Sequence, residues 1–311
     1  MRDTLSQLLV EAAAADDRFI VLSGDHGYAL FDSLRVGHGS QFVNVGVAEQ
    51  NMIGIAAGLA KVGFRPCVYG LAAFVPIRVL EQIKLDLCHA KAPVILLGDG
   101  AGLVYSTLGV SHQCGEDVAC LRPLPAIAIY SPCDGIELQA CWAEARRADH
   151  PCYIRIGKAD RPTVHDVAIG DTEPRWTNQR DSHKQQRLIV TTGSMTGIAT
   201  VLARTHGVPC LSVPRIKPLP PSLVAAIQSH RQTLVVEEHA RAGGLFGALA
   251  EELASAESPP CRSRLAHLGL TSQFTSTAGS YEHALSEHGL DDAAVNRSVA
   301  AWITASPGQM S

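Results

Sequence analysis

Val43-Asn44-Val45-Gly46-Val47-Ala48-Glu49-Gln50-Asn51-Met52-Ile53-Gly54 is the stretch whose reading decides the fold. A β-branched run ends at its start, and a Gly- and Ala-rich segment with apolar residues at helical spacing follows it. Strand, short turn and helix in that order make half of a parallel βαβ unit. One carboxylate, Glu49, stands where the helix begins, between apolar neighbours. Taken alone it reads as an acid in the first helical turn, where the helix dipole favours it. Buried there, it could also be an acid able to share a proton with a ligand, though on its own the stretch favours the cap.

The same alternation continues on both sides. Strands are expected at 19–22, 42–45, 66–69, 94–97, 127–130 and 152–156, and helices at 2–15, 48–61, 76–90 and 135–147, with a polar loop through Gly37 and Gly39. Hairpin turn signals are missing, so the sheet should be largely parallel and covered on both faces. From 157 to 186 the composition shifts to Asp, Thr, Arg, Pro and Gln, as in an interdomain connector. Beyond it, strands are expected at 188–192, 210–213, 233–236 and 265–268, and helices at 196–204, 222–229, 245–254 and 291–305. The expected fold class is therefore α/β: a domain over 1–160, a linker over 161–186 and a second domain over 187–311, each a mostly parallel sheet flanked by helices.

A length of 311 residues, 46% hydrophobic and 18% charged, suits a folded protein of about two domains. A net charge of −4 without a long Lys or Arg run gives no electrostatic footprint for nucleic acid or an anionic membrane. No apolar run approaches the roughly 20 residues of a membrane span, and the first residues lack a signal-peptide core. The nine cysteines are an odd count scattered through apolar segments, which fits reduced thiols and a cytoplasmic setting. Cys114, Cys120 and His112 lack the paired spacing of a zinc site, and no metal is assigned to them. The expected partners are small molecules or proteins.

Open α/β sheets bind ligands at the carboxyl ends of their strands, and Glu49, Phe74 and His112 would share that rim. A His in the small-residue loop Gly109-Val110-Ser111-His112-Gln113 could donate to a substrate oxygen, though a lone His is more often structural. Phe74 would either fill the core or stack on a flat ligand. Gly98-Asp99-Gly100 invites a diphosphate-and-metal reading, but the asparagine that should follow it is absent, since the chain has Asn only at 44, 51, 178 and 296. It reads as a strand-ending turn. Gly243-Gly244-Leu245-Phe246-Gly247 could cradle a phosphate, yet the preceding Glu237 and Glu238 would repel an anion, so a structural turn is expected there.

Together these residues resemble a known family. The run from Val45 to Ala60 is similar to the signature of the pyrimidine-binding domain of transketolases and 1-deoxyxylulose-5-phosphate synthases. Phe74 before Glu81-Gln82, Ser111-His112-Gln113, and Cys120-Leu121-Arg122-Pro123-Leu124-Pro125 before Ser131-Pro132 follow in that family's order. Val235-Val236-Glu237-Glu238-His239 with Gly243-Gly244 resembles its C-terminal domain. The resemblance covers only the second half of a full transketolase. It implies the C-terminal subunit of a split-gene enzyme that transfers a two-carbon ketol unit through thiamine diphosphate. A separate N-terminal subunit would hold the diphosphate and its Mg²⁺, and self-association through the pyrimidine domain would give an α₂β₂ assembly.

The resemblance also implies roles. Glu49 would hydrogen-bond the aminopyrimidine and activate the cofactor, Phe74 would stack on the ring, and His112 and Asp25 would face substrate oxygens. Arg2 and Lys158 fall where the family places cations for a substrate phosphate, Lys158 replacing a more usual Arg. Two positions depart from the pattern: Leu108 stands for an Asp that contacts a sugar hydroxyl, and Gly100 stands for a His. Losing both polar groups points away from ordinary pentose phosphates and towards a less polar or carrier-bound acceptor in a specialised biosynthetic pathway. The alternatives are a deoxyxylulose-synthase-like subunit, the β subunit of a 2-oxo-acid dehydrogenase, disfavoured by Ser-His-Gln and Arg-Pro-Leu-Pro, and a non-catalytic paralogue.

Overall fold

The computed structural model describes residues 1–158, 162–179, 186–255 and 263–305. The opening stretch forms β2 (Phe42–Asn44) and α3 (Glu49–Lys61), as its pattern requires. Around them lie α1 (Arg2–Ala15), β1 (Phe19–Ser23), β3 (Arg65–Leu71), β4 (Ile95–Asp99), β5 (Ala128–Tyr130), α6 (Gly135–Arg147) and β6 (Cys152–Ile156). The chain continues through β7 (Arg175–Asn178), β8 (Arg187–Thr191), α7 (Thr196–His206), β9 (Cys210–Ser212), β10 (Arg215–Lys217) and α8 (Pro221–Gln228). It closes with β11 (Gln232–Ala240), α9 (Leu245–Ser255), β12 (Arg264–Leu270), α10 (Tyr281–Glu287) and α11 (Asp292–Thr304).

Strand order in the first sheet is β10-β5-β6-β4-β3-β1-β2, parallel throughout except for β10, which pairs antiparallel with β5. The second sheet runs β12-β11-β8-β9-β7, with β7 the antiparallel edge. Both are α/β layers, mostly parallel, with helices packed on them. Burial explains the assignments. Every residue of β1 is buried, and β3 and β4 are nearly so, as expected of strands covered on both faces. On one face α1 sets Leu5 and Leu9 against Phe19, Tyr130 and Trp142; on the other, α3 sets Met52, Ile53 and Ala56 against Leu22, Val68 and Leu96.

Several elements differ from the sequence pattern. The polar loop through Gly37 holds α2 (Asp32–His38), whose Leu34 is buried beside Phe31. Asp32 in its first turn and Arg35 and His38 in its last suit the helix dipole, a signal that the nearby glycines obscure. The helix expected at 76–90 is a composite. A tight turn at Ile77–Val79 leads into α4 (Leu80–Gln82), then into a wide π-type segment at Ile83–Cys88. The expected linker 161–186 is not a plain connector, because β7 lies within it and pairs with β9; its residues 180–185 lie outside the described residues. In chain order β10 belongs to the second half, yet it extends the first sheet. Such short strands, three or four residues long, carry too little period to be read from sequence.

The two sheets meet across a buried polar network. At the start of α5 (Asp117–Leu121), Asp117 accepts from Arg155 Nε at 2.9 Å and from the Tyr153 hydroxyl at 2.7 Å. Arg155 also donates to the Glu238 carbonyl on β11 at 2.7 Å. The Glu238 carboxylate accepts from Leu103 N at 2.7 Å, from Tyr281 Oη at 2.6 Å and from Ser194 Oγ. A second bridge runs through Glu137, which accepts from Ser212 Oγ at 2.6 Å and Cys133 N at 2.8 Å and pairs with His165 at 2.9 Å.

Asp117→Ala strands the buried Arg155 and is expected to lower unfolding free energy by about 3–5 kcal/mol, read from denaturant melts. Replacing both partners by apolar residues of similar volume should recover most of that loss. The Glu137 hydrogen bond, outweighing desolvation, raises the His165 pKa above its ordinary 6.5. That contribution is complete below about pH 6.5 and is lost as pH rises through the raised value. The stability gap between wild type and His165→Gln should therefore shrink on going from pH 6 to alkaline pH.

Candidate functional site

Glu49 is brought to the rim by the turn that joins β2 to α3. Asn44 at the end of β2 accepts from the amides of Asp25 (3.1 Å) and Gly46 (2.9 Å) and donates to the Asp25 carboxylate (2.9 Å). Gly46 takes a positive φ of 73° without strain. The chain then enters α3 with Glu49 as its first residue, 3% exposed.

Two side chains approach that carboxylate, and both also pack on Phe74. Arg78 Nη1 donates to Glu49 Oε2 at 3.0 Å, and the Arg78 guanidinium lies 3.9 Å from the centre of the Phe74 ring. His26 Nε2 is 3.8 Å from Glu49 Oε1, beyond hydrogen-bond length. Both of those atoms are buried and have no hydrogen-bond partner. Phe74 is 8% exposed and has His112 edge-on at 5.2 Å and His26 tilted at 5.8 Å. The structure thus brings Glu49, Phe74 and His112 together and adds His26 and Arg78, which the sequence reading missed. A weak signal existed for each in sequence: His26 follows Asp25 directly, and Arg78 lies four residues after Phe74.

His26 is fixed by its loop. Ser23 Oγ donates to the His26 carbonyl at 2.8 Å, and Gly27, at φ 85°, has no room for a side chain. A Cβ there would stand 2.3 Å from Phe31 and 2.9 Å from Tyr69.

The other candidates lie elsewhere. Arg2 and Lys158 line a cavity of about 440 Å³ with Tyr69, Asp99, Tyr105 and Leu30. Asp99 accepts from the Tyr69 hydroxyl at 2.8 Å and the Tyr105 hydroxyl at 2.7 Å. Arg2 donates to the Tyr28 carbonyl at 2.5 Å, tying this cavity to the His26 loop. The Asp25 carboxylate is engaged by Asn44, so its clearest contact holds the turn. Tyr105 fills the space above Gly100, where any Cβ would come within 1.9 Å of its ring. Leu108 is 56% exposed.

The remaining motifs are structural. Glu237 accepts from the amides of Leu245 and Phe246 at 2.8 and 2.9 Å, capping α9 with its own carboxylate where a phosphate would need to sit. Burial opposes its charge, but His267, His239 and the Phe246 amide hold its pKa below the usual carboxylate value. Among the described residues, one group of metal-ligating atoms converges, Cys133, Glu137 and His165. It does not include Cys114, Cys120 or His112, and both Glu137 oxygens already have donors. Among the described residues no helix is long and apolar enough to cross a membrane.

Comparison with known proteins gives two family matches: "Transketolase, pyrimidine binding domain" over residues 1–163 and "Transketolase, C-terminal domain" over residues 177–295. A 6-deoxy-6-sulfo-D-fructose transketolase subunit from a Clostridium species is 32% identical over 265 residues, 81% of this chain and 80% of its own length. One of the subunits of an apulose-4-phosphate transketolase, from Phocaeicola vulgatus, is 30% identical over 84% of this chain and 85% of its own. A 1-deoxy-D-xylulose-5-phosphate synthase from Nitratidesulfovibrio vulgaris is 31% identical over 81% of this chain, but the match spans only 40% of that protein. Among solved structures, a split-gene transketolase described as an inactive β₄ tetramer superposes with a TM-score of 0.84 at 27% identity, covering 97% of this chain and 98% of that one. A transketolase from Pichia stipitis shares the fold, with a TM-score of 0.79 at 18% identity over 96% of this chain and 45% of that one.

Gly27→Ala forces a side chain into a filled space at positive φ and is expected to cost about 2 kcal/mol or more in chemical denaturation. The neighbouring Gly37, with open space around its would-be Cβ, serves as the control and should change little when replaced by Ala.

Proposed function

The chain belongs to the transketolase family, whose members depend on thiamine diphosphate, and on that footing we propose that it is the C-terminal subunit of a split transketolase. Transfer of a two-carbon ketol unit would then need a separate subunit carrying the diphosphate-binding domain and Mg²⁺. The observation that carries the reading is the buried Glu49 carboxylate beside the Phe74 ring, with one oxygen lacking a partner. An unpaired buried carboxylate oxygen is costly unless a ligand completes it, and a ring nitrogen beside an aromatic platform does so. These residues fit the pyrimidine end of the cofactor.

When bound, thiamine diphosphate supplies the nucleophilic carbon that carries the ketol unit. Glu49 holds and returns a proton at the ring nitrogen, and the apolar walls of α3 keep water from competing for it. Phe74 offers the stacking face. His112, edge-on to Phe74, is placed to donate to a substrate hydroxyl or carbonyl oxygen. Arg2 and Lys158 suit an anionic tail in the cavity they line. Gly100 and Leu108 withhold polar groups, and the Tyr69 and Tyr105 hydroxyls near Gly100 are turned to Asp99. A less hydroxylated or carrier-bound acceptor with an anionic end, in a specialised pathway, fits this lining. The lengths of the Clostridium and Phocaeicola relatives support the split-enzyme reading, since each is one piece of a transketolase and matches over 80% or more of its own length. The synthase likeness favours a deoxyxylulose-type variant of the same cofactor chemistry as the second reading.

Co-purification with a diphosphate-binding transketolase subunit, followed by ketol-transfer assays with and without thiamine diphosphate, tests the proposal. Ketol transfer should need both chains, and activity of this chain alone would contradict it. Glu49→Gln in the reconstituted complex should lower turnover by roughly 10²–10⁴-fold with assembly intact. Unchanged turnover would remove Glu49 from the chemistry.

A further inference from the structure

Arg78 makes two contacts at once. Its guanidinium carbon stands 3.9 Å from the Phe74 ring centre, and its Nη1 donates to Glu49 Oε2 at 3.0 Å. An aromatic face and a neighbouring carboxylate are also what a planar nitrogen heterocycle would use there. At 3.9 Å the guanidinium and the ring are at contact separation, so no second flat group fits between them. A ligand ring cannot reach that face of Phe74 unless Arg78 moves.

The electrostatics explain why an arginine stands there. Glu49 is 3% exposed, and its charge would otherwise have no strong partner, because His26 Nε2 is 3.8 Å away and unbonded. Arg78 supplies the counter-charge and covers the aromatic face, while its own side chain remains 45% exposed. It can therefore leave towards solvent without opening the core.

Resting on the ring-site reading above, we propose that Arg78 is a resident stand-in for the ring and that ligand enters by exchange. In the empty chain Arg78 holds Phe74 and Glu49; on binding, the incoming ring takes both contacts and Arg78 moves outward. Arg78 is thus a positioning residue that acts through Glu49. The exchange also ties the release of the counter-charge to the arrival of the ring, so Glu49 becomes available for proton sharing only when there is something to share with.

Thiamine is a suitable probe, because it carries the aminopyrimidine but no diphosphate and so asks nothing of the other chain. Its affinity for the full chain is measured by ligand-detected NMR titration. Arg78→Gln removes the competitor and is expected to bind thiamine roughly tenfold more tightly than wild type, the worth of one cation–π contact with its hydrogen bond. Arg78→Lys should fall between them, since an ammonium keeps the charge beside Glu49 but not the flat face. Phe74→Ala should abolish binding in both backgrounds. Equal or weaker binding by Arg78→Gln would overturn the exchange while leaving the ring site standing. If neither wild type nor Arg78→Gln binds thiamine, or if binding survives Phe74→Ala, the ring site itself fails and the exchange with it.

Discussion

The buried pair of Arg155 and Asp117 is the constraint on which the rest of the structure depends. Both are almost wholly out of water, with side chains 4% and 0% exposed, so neither could tolerate loss of the other. Because Arg155 also donates to the Glu238 carbonyl, the pair fixes β11 of the second sheet against β6 of the first. Glu238 extends the link to Leu103, in the loop that runs on to His112. Gly102 is required at that crossing, since a Cβ would lie 2.2 Å from the Glu238 carboxylate.

The second domain therefore positions a loop of the first. Residues 102–115 are held by a bridge between Gly102 and Cys114, by the Ala240 amide on the Gly115 carbonyl at 2.8 Å, and by Thr275 Oγ1 on Gln113 Oε1 at 2.8 Å. His112 stands edge-on to Phe74 because the loop bearing it is anchored from the other sheet.

Around Glu49 the balance of charge is local. The carboxylate gains from the amino end of α3 and from Arg78, and it loses by burial. One oxygen accepts from Arg78, and the other is buried without a hydrogen-bond partner. The Arg2 and Lys158 cavity has a different character, with two cations and two aspartates, Asp3 and Asp99, the latter held by two tyrosines. At its edge Tyr105 occupies the volume that a side chain at position 100 would have used.

Much of this was legible in the residues alone. The alternation of apolar runs determined the two mostly parallel layers, because strands buried on both faces must be continuously apolar and helices must carry a 3.6-residue stripe. Glu49, Phe74 and His112, each of which read alone as structural and gained a site role only through the resemblance, lie together in the fold, and the Glu237 carboxylate caps α9 at the glycine-rich turn. The helix at Asp32–His38, the edge strands β7 and β10 and the wide turns of Ile83–Cys88 were not legible, since short or irregular elements carry too little period. Nor were His26 and Arg78, or the turning of Tyr105 over Gly100. The meeting of His26 and Arg78 at Glu49 depends on distances between segments far apart in the chain, which the packing of strands and helices sets and no run of neighbouring residues does, and the turning of Tyr105 depends on the irregular path of its own loop.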